Sequence, residues 1–198
     1  VPALAERTGS IRITKTGENG EPLQGVSFNL FDSNQVLIDS GTTDASGQIT
    51  FTGLTLGDYY YQETATLSGY VLDSAMHEVS VTQNNQVVDV SVTNTRAAGS
   101  IVVTKTDAET GAALANVHFA LYDALGDLAD EGDTGLDGTL TFSALPLGTY
   151  FLVETATVNG YVLDSTPREI TISINGQSVS VSVTNTLARA SIMVNKTD

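Results

Sequence analysis

The sequence predicts an all-β protein made of two tandem antiparallel β-sandwiches, and three observations carry that prediction. The chain repeats itself: FNLFD at residues 28–32 returns as FALYD at 119–123, and ITFTGLTLGDYYYQETAT at 49–66 returns as LTFSALPLGTYFLVETAT at 140–157. Within each copy, short runs of alternating apolar and polar residues are separated by Gly, Asn, Asp and Ser, the signature of half-buried strands joined by tight turns. Helical periodicity of useful length is missing throughout. Several β segments in a unit of about 90 residues, each with one apolar face, have to bury those faces against each other, which is what a sandwich does.

The first repeat spans residues 10–96 and the second residues 100–187, with short joints at 1–9, 97–99 and from 188 onward. Strands are expected at 10–16, 26–32, 36–40, 48–52, 57–67, 76–82 and 87–94. The turns between them carry Glu18-Asn19-Gly20, Asp44-Ala45-Ser46-Gly47, Leu56-Gly57-Asp58, Ser68-Gly69 and Gln83-Asn84-Asn85, residues that tolerate or favour reversed backbone. The second copy lies 91 positions on from Asp32 (Asp123) but only 90 on from Lys15 (Lys105), so one residue is inserted in its first loop, where a surface turn absorbs it. Residues 188–198 read as a linker followed by the first strand of a truncated third repeat. Joints this short, without a Gly/Ser tract, imply repeats set end to end with limited bending.

Composition narrows the function. The 23 acidic residues against eight basic ones give a net charge of −15, which argues against nucleic acid and anionic lipid as partners. No run approaches the roughly 20 apolar residues that span a bilayer, so membrane insertion is not expected, and any export signal is expected outside these residues. The absence of cysteine removes disulfides without fixing the compartment. No phosphate loop, Ser/His/Asp set or paired catalytic carboxylates occur, so neither a cofactor nor turnover of an external substrate is expected.

The chemistry lies in the lysines. Lys15, Lys105 and Lys196 are the only three, and each closes a related segment: SIRITKT, SIVVTKT and SIMVNKT. In a strand, alternate residues share a face, which groups Ile11, Ile13 and Lys15, then Ile101, Val103 and Lys105. Each lysine therefore occupies a core parity, where lysine is almost never found unless something holds it. The closing strands set Val88, Val90, Val92 and Asn94 on one face, and Val179, Val181, Val183 and Asn185 likewise. In the fifth strand Tyr59, Tyr61 and Glu63 fall together, as do Tyr150, Leu152 and Glu154, although Tyr60, Phe151 and Val153 make the opposite face apolar as well. A lysine, a glutamate and an asparagine thus point inward in each repeat. Burial lowers a lysine's pKa and raises a glutamate's, so a neutral amine beside a protonated carboxyl becomes accessible near neutral pH. Such an amine is a nucleophile. It can attack the side-chain carbonyl of Asn94, with Glu63 polarising the amide and shuttling protons until ammonia leaves, and the product is a Lys–Asn isopeptide bond.

These residues resemble a known family. An opening strand that ends on lysine, the run TDASGQITFTGLTLGDYYYQET at 43–64, GYVLD at 69–73 and VSVTNT at 90–95 are similar to the Cna protein B-type domains, also called SpaA-like pilin domains, of Gram-positive surface adhesins and pili. The resemblance covers both repeats nearly end to end. It implies Ig-like or prealbumin-like sandwiches, an extracellular cell-wall-anchored parent, and one autocatalytic intramolecular isopeptide bond per repeat. On that basis Lys15 and Asn94, and Lys105 and Asn185, are the crosslinked pairs, with Glu63 and Glu154 as the assisting acids. The segment after the glutamate, often KAPEGY in the family, is ATLSGY and ATVNGY here, outside the triad. The implied function is a structural stalk, whose partners are neighbouring repeats of the same chain and which is monomeric by itself.

Other readings stand beside this one. A buried Lys–Glu ion pair capped by asparagine, with no reaction, uses the same residue types. The alternative function is binding of a host protein or glycan by the repeats themselves, although near-duplicate copies without a large distinct insertion look like spacers. His77 and His118 have no Cys or His neighbours in sequence, so no metal site is expected. Asp123, Asp127, Asp130, Glu131, Asp133 and Asp137 lack EF-hand spacing and read as a solvated acidic face. Tyr59, Tyr60 and Tyr61 read as packing residues, and the sequon at Asn195 as idle. Lys196 has neither a glutamate nor an asparagine partner within this sequence and is expected to remain a free amine unless another molecule supplies the missing strands.

Overall fold

A computed structural model describes residues 7–196, and its architecture is all β. Residues 1–6 of the expected leading joint, and Thr197 and Asp198 of the third copy, lie outside the described residues. The chain divides into two compact units, the first ending at Ala97 and the second beginning at Ala98. In the first unit the strands are β1 (Thr8–Gly17), β2 (Ser27–Asp32), β3 (Leu37–Thr42), β4 (Gln48–Thr55), β5 (Gly57–Ala65), β6 (Met76–Val81) and β7 (Val87–Asn94). The second unit repeats them as β8 (Ala98–Asp107), β9 (His118–Asp123), β10 (Leu128–Asp133), β11 (Thr139–Pro146), β12 (Gly148–Ala156), β13 (Arg168–Ile172) and β14 (Ser178–Asn185).

Each unit is two sheets. In the first, the order β3-β2-β5-β6 faces the order β4-β1-β7; in the second, β10-β9-β12-β13 faces β11-β8-β14. The alternation read from the sequence sets the core: Ile11, Ile13, Phe28, Leu30, Phe51, Tyr59 and Tyr61 pack together, and Ile101, Val103, Phe119, Leu121, Phe142, Tyr150 and Leu152 do so in the second unit, while β3 and β10 contribute no buried residue. Antiparallel pairing fails at one place in each unit. The opening and closing strands run parallel, with Lys15 opposite Val92 and Lys105 opposite Val183. Parallel pairing leaves the start of β1 and the end of β7 at opposite ends of their ladder, and the same holds for β8 and β14.

The third copy differs from expectation: residues 191–196 carry no strand and Ile192 is 90% exposed. Its apolar alternation matches β1, but β1 is held between β4 and β7, and a segment with no such partners cannot satisfy its backbone in a ladder.

Candidate functional site

Backbone geometry fixes each lysine at its position in the strand. The Lys15 amide donates to the Gly47 carbonyl at 2.7 Å, and the Lys15 carbonyl accepts from Leu23 at 3.0 Å. Gly47 has φ 71°, and a Cβ there would collide with the Lys15 carbonyl oxygen, so the turn TDASG clamps the lysine strand only because its fifth residue is glycine. Gly138, with φ 74°, performs the same task for Lys105, whose amide donates to its carbonyl at 2.8 Å.

The side chains then converge from three strands and two sheets. Lys15 on β1, Glu63 on β5 and Asn94 on β7 are 0%, 2% and 2% exposed. Glu63 lies between the other two: its Oε2 is 3.6 Å from Lys15 Nζ, and its Oε1 accepts from Asn94 Nδ2 at 2.6 Å. The second unit reproduces this with Lys105 Nζ 3.5 Å from Glu154 Oε2, and Asn185 Nδ2 donating to Glu154 Oε1 at 2.5 Å. In each unit the lysine Nζ, the outer carboxyl oxygen and the asparagine Oδ1 are buried without a hydrogen-bond partner, a costly state for polar groups in a core. Desolvation dominates at the lysines and holds both amines below their ordinary pKa of 10.5, against the opposing attraction of Glu63 or Glu154.

One member of the group is not foreseen from the sequence. Each asparagine amide donates its second N–H to a threonine, Asn94 to Thr66 Oγ1 and Asn185 to Thr157 Oγ1, both at 2.8 Å. The signal lay in the repeated run ETAT, where the last threonine stands three residues beyond the glutamate. The sequence pattern predicts a fifth strand as far as Leu67, but β5 ends at Ala65 and the chain turns, with Tyr70 N–H bonded to the Leu67 carbonyl at 3.2 Å. That turn is what aims Thr66 at the amide instead of along the sheet.

The remaining candidates serve other ends. His77 bonds Asp73 at 2.9 Å and stacks on Tyr61. His118 bonds Asp133 at 2.8 Å, which raises its pKa. In the acidic stretch Asp123 accepts the Leu125 and Asp127 amides and Asp137 accepts Thr139, so these carboxylates shape turns. Among the described residues no group of three His, Asp or Glu side chains converges as a metal site. Tyr59 and Tyr61 are core residues and Tyr60 is half-buried. Lys196 is exposed.

The fold and this buried trio define a class: prealbumin-like β-sandwich domains, each carrying a lysine on its first strand and an asparagine on its last. The SpaA prealbumin-like fold domain matches residues 9–96 and again 99–187, and the chain belongs to that family. No curated protein matches it. Among solved structures it is similar to the TIE protein of Bacillus anthracis, with 29% identity and a TM-score of 0.82 over 91% of this chain and 34% of that one. The chain thus spans about a third of the TIE protein's length. It shares its fold with a C-terminal fragment of the pilus adhesin SpaC of Lactobacillus rhamnosus GG, at 14% identity and a TM-score of 0.62, over 95% of this chain and all of that one. None of the described residues forms a helix long and apolar enough to cross a membrane.

Proposed function

We propose that the chain is a stalk or spacer segment of a bacterial cell-surface adhesin or pilus-like protein, and that each repeat locks itself with one isopeptide bond, Lys15 to Asn94 and Lys105 to Asn185. The observation that carries this reading is the duplicated placement of a carboxyl that touches amine and amide at once. Proton transfer from Nζ to the carboxyl leaves a neutral amine and a neutral acid, which removes the cost of several kcal/mol for each buried ion. The amine attacks Asn94 Cγ and forms the new Cγ–N bond. The Glu63 carboxyl then protonates Nδ2, the Cγ–Nδ2 bond breaks, ammonia leaves, and the carboxylate takes the excess proton from the new amide. The carboxyl's contact is with the leaving nitrogen and not the carbonyl oxygen, so its role is proton transfer at Nδ2. The reaction occurs once per domain and turns over no external substrate.

The parallel ladder has a mechanical consequence. Tension applied at the start of β1 and the end of β7 passes along residues 8–15, across the bond and out at Asn94. Residues 16–93 are bypassed. As a spacer, the segment has neighbouring repeats as its partners, the cell surface as its location, and host contacts only through other parts of the parent. The test is tryptic digestion with tandem mass spectrometry: because a bonded lysine is not cleaved, residues 13–96 are expected as one internally closed peptide lighter by one ammonia, and residues 97–168 joined to 169–189 as a branched peptide, whereas cleavage after Lys15 and Lys105 with both asparagines intact would refute the reading.

A further inference from the structure

Thr66 and Thr157 are the one part of each buried group to which this reaction gives no role. Each occupies the first position after its strand, is half-buried, and accepts the asparagine's second N–H at 2.8 Å. The loop carrying each threonine is tied to the residues just beyond the asparagine. In the first unit Val71 N–H bonds the Thr95 carbonyl at 2.9 Å and Ala97 N–H bonds the Gly69 carbonyl at 2.8 Å; in the second, Val162 bonds Thr186 at 2.9 Å and Ala188 bonds Gly160 at 2.7 Å. A tyrosine in the same loop adds a side-chain tie, Tyr70 to Glu21 at 2.6 Å and Tyr161 to Asp107 at 2.7 Å. Threonine and asparagine are therefore held in one frame.

Resting on the isopeptide reading above, we infer that Thr66 and Thr157 are positioning residues for bond formation. An amide side chain has two ends of nearly equal size, and only one orientation puts the leaving nitrogen against the acid. The carboxyl and the hydroxyl together accept both N–H groups of Nδ2. This fixes the amide plane and sets Nδ2, not Oδ1, against Glu63 Oε1. Without the hydroxyl, the second N–H is buried unpaired and the amide is free to rotate about its last torsion, so reactive geometry is populated less often.

The experiment is cell-free synthesis of the full chain with intact and peptide mass recorded over time, comparing the unaltered chain with Thr66→Val and Thr66→Ser. Repeat two serves as the control within each molecule. Loss of ammonia from repeat one is expected to slow on the order of ten-fold in Thr66→Val, as for one lost hydrogen bond at a reacting group, and to recover in Thr66→Ser. Thermal unfolding in a Lys15→Met background, which has no amine to react, measures the folding cost by itself: there Thr66→Val is expected to lower the melting temperature by about 4–8 °C, as for one unpaired buried N–H, and to leave the first unit folded at the reaction temperature. Unslowed reaction in Thr66→Val, no recovery with serine, or a first unit of the Thr66→Val/Lys15→Met chain already unfolded at the reaction temperature would overturn the inference while the bond itself stands. Absence of ammonia loss from the unaltered chain would overturn both.

Discussion

Glu63 Oε1 accepts a hydrogen bond from Asn94 Nδ2 at 2.6 Å, which joins a strand of the four-stranded sheet to the edge strand of the facing three-stranded one. Because the other oxygen of the same carboxyl faces Lys15 Nζ, a single residue connects nucleophile and leaving group. Glu63→Gln keeps the shape but cannot carry the proton. It is expected to stop bond formation in repeat one and leave repeat two bonded, so that the intact mass shows one ammonia lost in place of two. Two losses in Glu63→Gln would remove the carboxyl from the mechanism.

Lys15→Met removes the amine and fills its volume. If the bond closes a loop of about 80 residues, its absence should cost the first unit on the order of 4–5 kcal/mol by the chain-entropy estimate used for disulfides. Urea unfolding of the two chains should show that difference, unchanged by reductant, since an amide is not reducible. Equal midpoints would mean that nothing covalent had been lost.

Gly47 controls where the lysine backbone sits. Gly47→Ala forces a side chain into left-handed backbone and against the Lys15 carbonyl, at about 1–3 kcal/mol. Slower bond formation in repeat one alone is expected in a mass time course. An unaffected rate would show that the clamp is dispensable.

The buried amines give a pH dependence whose sign can be worked out. Burial holds Lys15 below its ordinary value of 10.5. Between the folded and unfolded values the unfolded chain binds more protons, so stability rises with pH across that window, and the penalty is full below the folded pKa. In Asn94→Ala, which keeps the amine unreacted, hydrogen exchange at β1 should slow as pH rises, after correction for intrinsic exchange and relative to Lys15→Met/Asn94→Ala. The opposite trend would contradict a destabilised charged amine.

Much of this was legible in the sequence because strand parity is a strict rule. Lys15 and Asn94 follow Ile11-Ile13 and Val88-Val90-Val92, and all of these face inward. Glu63 was harder to place, since Tyr60 makes both faces of β5 apolar, and only half-burial of Tyr60 shows which face is the outer one. Parallel pairing of β1 with β7 was not legible, because alternation is blind to strand direction. Thr66 was missed because its role depends on where β5 stops. The segment at 191–196 has the local pattern of β1 and yet carries no strand, because no strand among the described residues pairs with it.

Intact mass of the purified, unaltered chain tests the central claim most directly. The account predicts a mass below that of the sequence by two molecules of ammonia, one from Asn94 and one from Asn185. A mass equal to that of the sequence would contradict it and leave each repeat with a buried, unreacted ion pair.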